Sequence, residues 1–366
     1  MKIFYDETHR LHNPAFEVFD GGQRMPYLES PERMDRILKA IRGMDSAEIL
    51  APRDFGLDPI RAVHSDAYLT FLASAWTEWL AATPEAAAAS DKTALLPATF
   101  AAKRDQMPET ILGKAGFFLL DLSVPVVEGT YKAALASANC ALSAAEAISS
   151  SIIHDPSSPS SFILHPSSFA LCRPPGHHAG REIAGGYCFL NNAAIAAQWL
   201  TRFGRVAILD VDYHAGNGTQ DIFYSRADVL TISIHADPAY EYPYYAGYAQ
   251  ETGTGEGLGF HRNFPLPAGT DDAAYLAALD QAIDLITVYG PQSLVVSLGM
   301  DTYGGDPLGK FKLTREGIGE IGHRIAALAL PTAVIMEGGY NTDELGKNVV
   351  AFLEGMESPP AMPIQP

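Results

Sequence analysis

The sequence contains few cysteines and no long apolar run. Its three cysteines, Cys140, Cys172 and Cys188, are an odd number, and no two of them are spaced as CxxC. This pattern argues against a disulfide framework or a zinc ribbon and is typical of a reducing compartment. No stretch approaches the roughly 20 apolar residues of a membrane span, and the opening MKIFYDETHR lacks the apolar segment of a secretory signal. We therefore expect a cytoplasmic protein that does not bind membranes.

Basic residues are also scarce. Lys and Arg number 25 against 43 Asp and Glu, which gives a formal net charge of −18. This balance argues against a nucleic-acid partner, because nucleic-acid-binding proteins present a basic face. An acidic chain is instead compatible with a small cationic ligand. With 47% apolar and 19% charged residues, the composition predicts a globular protein with a sizeable core.

Short apolar runs alternate with helical patterns along the chain. Helices are predicted for residues 192–202, 271–288 and 314–328. Buried strands are predicted for residues 2–5, 169–172, 206–211, 229–234, 293–298 and 333–336. This alternation indicates βαβ units, and strands that are apolar throughout indicate a parallel sheet with helices on both faces. Because no linker divides the chain, we predict one α/β domain over residues 1–366.

Polar residues follow most of these strands where each strand ends. The strand segments run into CRPPGHHAG, DVDYHAGNG, HADP, GMDTYGGDP and EGGY. In an open parallel sheet the carboxyl ends of the strands meet at one edge, and ligand sites form there. Five strands that deliver His, Asp and Tyr to one edge predict a functional site.

The segment ILDVDYHAGNG, residues 208–218, carries the clearest chemical pattern. Side chains alternate along a strand, so Asp210, Asp212 and His214 are expected on one face as the strand ends. Neighbouring carboxylates repel each other, and their burial is unfavourable unless a cation pairs with them. An aspartate here could be only a helix cap, but the histidine and the lack of Lys or Arg favour a metal ion.

A third possible ligand and one supporting aspartate extend this candidate site. Asp301 with Asp212 and His214 makes a ligand set that suits Zn²⁺ and also Fe²⁺, Co²⁺ or Mn²⁺. Such an ion polarises a carbonyl and acidifies water, while Asp210 could support it from a second layer.

Two adjacent histidines and one tyrosine are candidates for proton chemistry. His177 and His178 follow a PPG turn on a glycine-flanked loop, where a tandem pair suggests a general base, although a single histidine there would more often be structural. Tyr340 follows two glycines, which would leave its hydroxyl free to reach into a site. Without the other residues it would be read as a turn tyrosine.

Two stretches have the character of insertions. Residues 154–168 are rich in Ser and Pro and begin a segment that contains PSSF twice, which predicts an exposed loop without chemistry. Residues 81–115 are Ala-rich and then mixed, with prolines. We predict that they form a long loop that covers the site or contacts a second subunit.

Taken in order, CRPPGHHAG, GGYCFLNNAAIAA, ILDVDYHAGNGTQDIFY, SLGMDTYGGDP and MEGGY closely resemble the histone deacetylase superfamily. NNAAIAA, NGTQDIFY and ETGTGEG, with the opening MKIFYDETHRLHNP, are most similar to its bacterial acetylpolyamine amidohydrolase branch. The resemblance runs over residues 1 to about 349, apart from 154–168. It implies the arginase/deacetylase fold, in which a central eight-stranded parallel sheet has helices on both faces.

The resemblance also implies roles for the site residues. The metal ligands would be Asp212, His214 and Asp301. His178 would act as the general base and then the acid, His177 would stabilise charge, and Tyr340 would polarise the scissile carbonyl. Tyr187 and Tyr242, with Gly186, would line a substrate tunnel. Asp210, His214 and Ser233 match part of an internal potassium site.

Three positions depart from the pattern of the family. Ala215 stands where the family usually has a second histidine, which removes a group that supports the metal. Asn217 stands where many deacetylases have an aspartate paired with the base, and acetylpolyamine enzymes also have asparagine there. Leu112 and Ser123 stand where the branch places two glutamates at the tunnel mouth, which weakens the expected preference for polyamines.

We therefore predict a zinc-dependent deacetylase with one ion per chain. Its substrate would be a small cationic acetylated amine, most simply an acetylated short diamine or polyamine, and the resemblance suggests a homodimer. A protein acetyl-lysine deacetylase of the same mechanism is an alternative. A dinuclear ureohydrolase would need further aspartate ligands. A non-catalytic, metal-stabilised binding protein is the third alternative, and only Ala215 favours it.

Overall fold

Eight parallel strands form the central sheet of the chain. The computed structural model describes residues 1–19, 22–85, 94–152 and 166–357. The strands are β1 (Lys2–Phe4), β2 (Glu17–Phe19), β3 (Gln23–Met25), β4 (Glu48–Leu50), β5 (Ser167–Ala170), β6 (Val206–Asp210), β7 (Val229–Ala236), β8 (His261–Leu266), β9 (Ser293–Leu298) and β10 (Thr332–Met336). The sheet order is β4-β1-β5-β10-β9-β6-β7-β8, and every neighbouring pair is parallel. β2 and β3 form a separate antiparallel hairpin.

Helices cover both faces of this sheet. They are α1 (Glu32–Ile41), α2 (Asp58–Arg61), α3 (Asp66–Ala82), α4 (Ile111–Phe118), α5 (Thr130–Ile152), α6 (Asn192–Leu200), α7 (Asn217–Phe223), α8 (Asp272–Tyr289), α9 (Arg315–Ala326) and α10 (Thr342–Glu357). Along β6, Val206 and Ile208 pack in one core with α3, α5 and α6. Ala207 and Leu209 pack in a second core with α1, α8, α9 and α10. Two cores explain why β6, β7, β9 and β10 are buried at every position.

The predicted parallel α/β architecture is confirmed. The six predicted strands and three predicted helices lie within two residues of observed elements, except that the first helix ends in a 3₁₀ turn, Thr201–Phe203. The patterns missed the β2–β3 hairpin and two strands of the sheet, β4 and β8, which are its two edges. β4 is three residues long and β8 reads HRNFPL, so neither shows the continuous apolar run of a central strand.

The two predicted insertions have different outcomes. Residues 153–165 lie outside the described part of the chain, and of the predicted loop 154–168 the last two residues, Ser167 and Ser168, belong to β5. In the 81–115 stretch, α3 extends to Ala82 and α4 begins at Ile111, and residues 86–93 lie outside the described ranges. None of the helices in the described ranges is long and apolar enough to cross a membrane.

A buried histidine links the start of α3 to the start of α6. His64 precedes the Ser65 cap of α3, and its Nε2 accepts the backbone N–H of Asn191 at 2.9 Å. Asn191 in turn caps α6, since its Oδ1 accepts the Ala194 N–H at 2.9 Å. Burial lowers the pKa of the His64 imidazole to about 4, so the ring is neutral and accepts this bond at neutral pH.

This contact predicts acid sensitivity of the fold. The unfolded chain binds a proton at His64 below its ordinary pKa of 6.5, whereas the folded chain resists until about 4, so stability present above 6.5 is lost between those values. The loss at pH 5 relative to pH 7 should be about 2 kcal/mol for this one histidine. His64→Gln keeps an acceptor that does not titrate, and urea unfolding should show a smaller loss for it. An equal loss in both proteins would contradict this assignment.

Candidate active site

The candidate site lies at the carboxyl ends of four adjacent central strands. β5, β10, β9 and β6 are neighbours in the sheet, so the loops that follow them meet at one edge. These loops carry the adjacent histidines His177 and His178, the tyrosine Tyr340, and the acidic and imidazole groups Asp301, Asp212 and His214. A cavity of about 870 Å³ opens here, lined among others by His177, His178, Gly186, Tyr187, His214, Tyr242 and Tyr340.

Asp212, His214 and Asp301 form a compact group of possible ligands. One donor atom from each lies within 4.8 Å of the others. His214 Nδ1 is 3.1 Å from Asp301 Oδ2 and 3.4 Å from Asp212 Oδ1. Both carboxylates are fully buried. Backbone N–H groups hold them in place: Tyr213 donates to Asp301 Oδ1 at 3.0 Å, and Gly338 donates to Asp212 Oδ2 at 2.9 Å.

The charge in this group fits a divalent cation. Burial and the charge of Asp212 raise the pKa of Asp301. Burial opposes ionisation of Asp212 as well, but His177 and His214 hold its pKa well below the usual value. Burial would lower the pKa of His214, yet its bonds to Asp212 and Asp301 outweigh this and raise it to about 10. Two buried carboxylates thus draw a positive charge onto the imidazole between them, and carboxylate and imidazole are ligands that Zn²⁺ accepts.

Glycines leave the space in which such an ion would lie. A Cβ on Gly338 would come within 2.4 Å of Asp301 Oδ2 and 2.7 Å of Asp212 Oδ2. A Cβ on Gly299 would come within 2.1 Å of Asp212 Oδ2. Any side chain at either position would therefore displace the carboxylates. The residues present fit a metal held by Asp212, His214 and Asp301.

His177 is held between two aspartates. Its Nδ1–H donates to Asp210 Oδ2 at 2.9 Å, and its Nε2 is 3.6 Å from Asp212 Oδ1. Burial would lower the pKa of His177, but the charges of Asp212 and Asp210 outweigh it and raise that pKa well above the usual value. Asp210 therefore orients a histidine.

His178 has the opposite character. Its Nδ1–H donates to Asn217 Oδ1 at 2.7 Å, and its ring centroid is 3.9 Å from that of His177. Burial, together with the positive charges on His177 and His214, holds the pKa of His178 well below its usual value. With Nδ1 protonated, Nε2 keeps its lone pair. His178 is therefore a neutral imidazole that can accept a proton in the cavity.

Tyr340 is anchored by its backbone and by an arginine. Its N–H donates to Asp306 Oδ2 at 2.6 Å, and the Arg33 guanidinium lies 4.9 Å from the centre of its ring. Arg33 itself donates to the backbone oxygens of Glu337 and Gly339, both at 2.6 Å. Burial raises the pKa of the Tyr340 phenol well above its usual value, so its O–H remains a hydrogen-bond donor.

Two aromatic side chains form walls of the cavity. Tyr187 and Gly186 have φ angles of +68° and +50°, and a Cβ on Gly186 would come within 2.3 Å of His178 Cδ2. The Tyr187 hydroxyl donates to Glu17 Oε2 at 2.6 Å. The Tyr242 ring meets the His178 ring edge to face, with centroids 4.8 Å apart.

The remaining predicted positions are more scattered. Ser233 pairs with Asp210 in the β6–β7 register, and its hydroxyl bonds His235 Nδ1 at 2.7 Å. Ala215 is buried, and Asp212, His214 and Asp301 converge without a histidine there. Leu112 is exposed on α4 and is not part of the cavity wall, whereas Ser123 is.

The sequence reasoning missed three acidic residues near the cavity. With Leu112 and Ser123 at the mouth, it expected few carboxylates there, but Asp121 and Glu241 both line the wall. Glu337 Oε2 accepts the N–H groups of Gly176 at 2.6 Å and His177 at 3.1 Å, so it supports the histidine loop. Position could have identified two of them, because Asp121 ends the apolar run FFLL and Glu337 directly follows β10.

Known proteins are similar to this chain along nearly its whole length. A model of the histone deacetylase domain matches residues 27–356. Acetylpolyamine amidohydrolase 2 of Pseudomonas aeruginosa is 46% identical over 361 residues, covering 98% of this chain and 99% of that protein. The acetylpolyamine amidohydrolase of Mycoplana ramosa is 40% identical over 360 residues, with 97% and 99% coverage.

Solved structures agree with the sequence relatives. The crystal structure of acetylpolyamine aminohydrolase from Burkholderia pseudomallei superposes with a TM-score of 0.88 at 41% identity, covering 98% of this chain and 99% of that one. The HD domain of HDA15 superposes with a TM-score of 0.75 at 26% identity, with 98% and 91% coverage. The arginase/deacetylase fold expected from the motifs is confirmed.

The ligand group predicts one tightly bound divalent ion per chain. Asp301→Asn should weaken Zn²⁺ binding by more than the roughly 10–100-fold typical of losing a group that only supports a ligand. Affinity can be measured by competition with a chromophoric chelator. Asp343→Asn, at a side chain that is 83% exposed, is the matched control and should bind like the wild type. Unchanged affinity in Asp301→Asn, or two ions in the site, would exclude this ligand set.

Proposed function

The chain belongs to the histone deacetylase domain family, and we propose that it is a zinc-dependent amidohydrolase that deacetylates short acetylated diamines and polyamines. One observation carries the proposal: a single cavity joins a metal-compatible ligand group, a neutral histidine and a protonated tyrosine. The substrate class is supported by the names of relatives at 40% to 46% identity, acetylpolyamine amidohydrolases.

In this proposal Asp212, His214 and Asp301 hold the ion. A bound divalent ion would polarise the acyl oxygen and make water at the site more acidic. Asp210 lies outside this ligand group, and its carboxylate accepts bonds from His177 Nδ1–H and the Asp212 N–H. This arrangement disfavours the ureohydrolase alternative, which needs further aspartates for a second ion.

His178 moves the proton. Its Nε2 takes a proton from water as the water oxygen forms a bond to the acyl carbon, and Asn217 Oδ1 then stabilises the imidazolium through Nδ1–H. The same proton passes to the amine nitrogen as the C–N bond breaks. The products are a carboxylic acid and a primary amine. An amide partner at Asn217 suits this cycle because it adds no charge that would keep the ring protonated.

Tyr340 and His177 stabilise the charge that develops on the acyl oxygen. Tyr340 donates its phenolic proton as a hydrogen bond to this oxygen, and its backbone is already fixed by Asp306. His177 remains protonated between Asp210 and Asp212, so it places a positive charge beside the reacting groups. A non-catalytic binding protein would be expected to lack one of these groups. All of them are present, so the site does not favour that alternative.

The wider setting is also part of the proposal. We propose that residues 1–366 form one deacetylase-like domain, that the protein is a cytoplasmic homodimer, and that the 81–115 stretch narrows the cavity entrance. A potassium ion near Asp210, His214 and Ser233 is a further expectation from the family resemblance. Light scattering would test the dimer, and elemental analysis would test the potassium.

The mechanism predicts that loss of the Tyr340 hydroxyl lowers kcat strongly. Tyr340→Phe keeps the ring but removes a donor to the oxyanion, so kcat should fall about 10²–10³-fold. His178→Ala should lose at least as much, and both variants should retain the wild-type metal content and melting temperature. Steady-state kinetics with an acetylated diamine provides the measurement. Near-normal kcat in either variant would contradict the assigned roles.

The cavity predicts a preference for slim substrates. The aromatic walls admit an alkyl chain, and the carboxylates in the wall are already engaged: Glu241 pairs with Lys310, and Asp121 accepts three hydrogen bonds. Acetylputrescine and acetylcadaverine should therefore have higher kcat/KM than acetylspermine or acetyl-lysine peptides. A panel of these substrates measures the order. Highest kcat/KM on long peptides would favour the protein-deacetylase alternative.

A further inference from the structure

One carboxylate oxygen contacts both walls of the cavity. Asp121 Oδ2 accepts the Tyr242 hydroxyl at 2.7 Å and the Gly186 N–H at 3.0 Å. The other oxygen, Oδ1, accepts the Ser123 N–H at 2.9 Å, which fixes the carboxylate on its own loop. Gly186 and Tyr242 are 56 residues apart in sequence, yet a single atom joins them.

From this geometry we propose that Asp121 and Tyr242 are positioning residues that set the width of the cavity, and so determine which amines can enter. Gly186 precedes Tyr187, which lines the cavity, and Tyr242 lines it beside His178. If Asp121 Oδ2 holds both, neither wall can move outward without breaking a bond to a charged acceptor. Such bonds are stronger than those between neutral groups.

The two walls differ in what holds them. Tyr187 has a second support, because its hydroxyl donates to Glu17 Oε2 at 2.6 Å and Glu17 Oε1 accepts the Leu28 N–H at 2.8 Å. The Tyr242 hydroxyl bonds to Asp121. Loss of that bond should therefore release the Tyr242 wall first. Because this ring packs on His178 but does not bond to it, the change should alter substrate entry more than proton transfer.

Hydrogen exchange tests the bridge without any substrate. Asp121→Ala should speed amide exchange in residues 184–188 and 240–246 together, by about tenfold, as expected when a bond to a charged group is lost. Tyr242→Phe should speed exchange only in residues 240–246, since the Gly186 N–H keeps its acceptor. Tyr240→Phe, at a side chain 77% exposed on the same segment, is the control and should change neither. Faster exchange in one segment of Asp121→Ala, in neither, or throughout the chain would overturn the bridge.

Substrate selectivity tests whether Asp121 and Tyr242 set the width of the cavity, and this second test rests on the proposed function. The pair is N-acetylputrescine and its analogue with a methyl branch on the carbon that carries the acetylated nitrogen. In Tyr242→Phe the ratio of their kcat/KM values should fall about tenfold, mainly through a lower KM for the branched amine. The control Tyr131→Phe, on α5 and not part of the cavity wall, should keep the wild-type ratio. An unchanged ratio in Tyr242→Phe would overturn the role in width. If the wild type hydrolyses neither amine, the proposed function fails, and hydrogen exchange still decides the bridge.

Discussion

The burial of two like charges side by side is the constraint on which this site depends. Asp212 and Asp301 follow the neighbouring strands β6 and β9, and within the described part of the chain their ion pairs are with His177 and His214, not with Lys or Arg. The surrounding structure compensates: backbone N–H groups of Tyr213 and Gly338 donate to them, and His214 lies between them. The loops after β6 and β10 supply these donors, so the order of the strands at this edge of the sheet determines the electrostatics of the site.

The buried carboxylates also give two adjacent histidines different protonation states. His177 and His178 share a loop and nearly touch, yet one has an aspartate partner and the other an asparagine. The charges of Asp212 and Asp210 keep the first ring protonated, and burial together with the positive charge on that ring keeps the second neutral. Two identical side chains thus become a fixed cation and a proton acceptor because their surroundings differ.

The central strands and two residues of the possible ligand group could be predicted from the sequence because their signals are local. Continuous apolar runs identified β6, β9 and β10, and the DVDYH pattern identified Asp212 and His214. The edge strands β4 and β8 escaped because half-exposed strands lack that run. Asp121 and Glu337 were missed for another reason. Each accepts N–H or O–H groups from distant segments, so no spacing in the sequence indicates this role, although both residues follow apolar runs.

The glycines around the site have a consequence for how such a protein can evolve. Positions 186, 299 and 338 cannot carry even a methyl group without contact below 2.5 Å to His178, Asp212 or Asp301. Point mutation there disrupts the chemistry rather than redirecting it. Leu112, Tyr240 and Tyr244 are exposed and meet no such limit. Substitutions that admit new amines are therefore expected in the surface segments. The centre of the site can change only through several simultaneous substitutions.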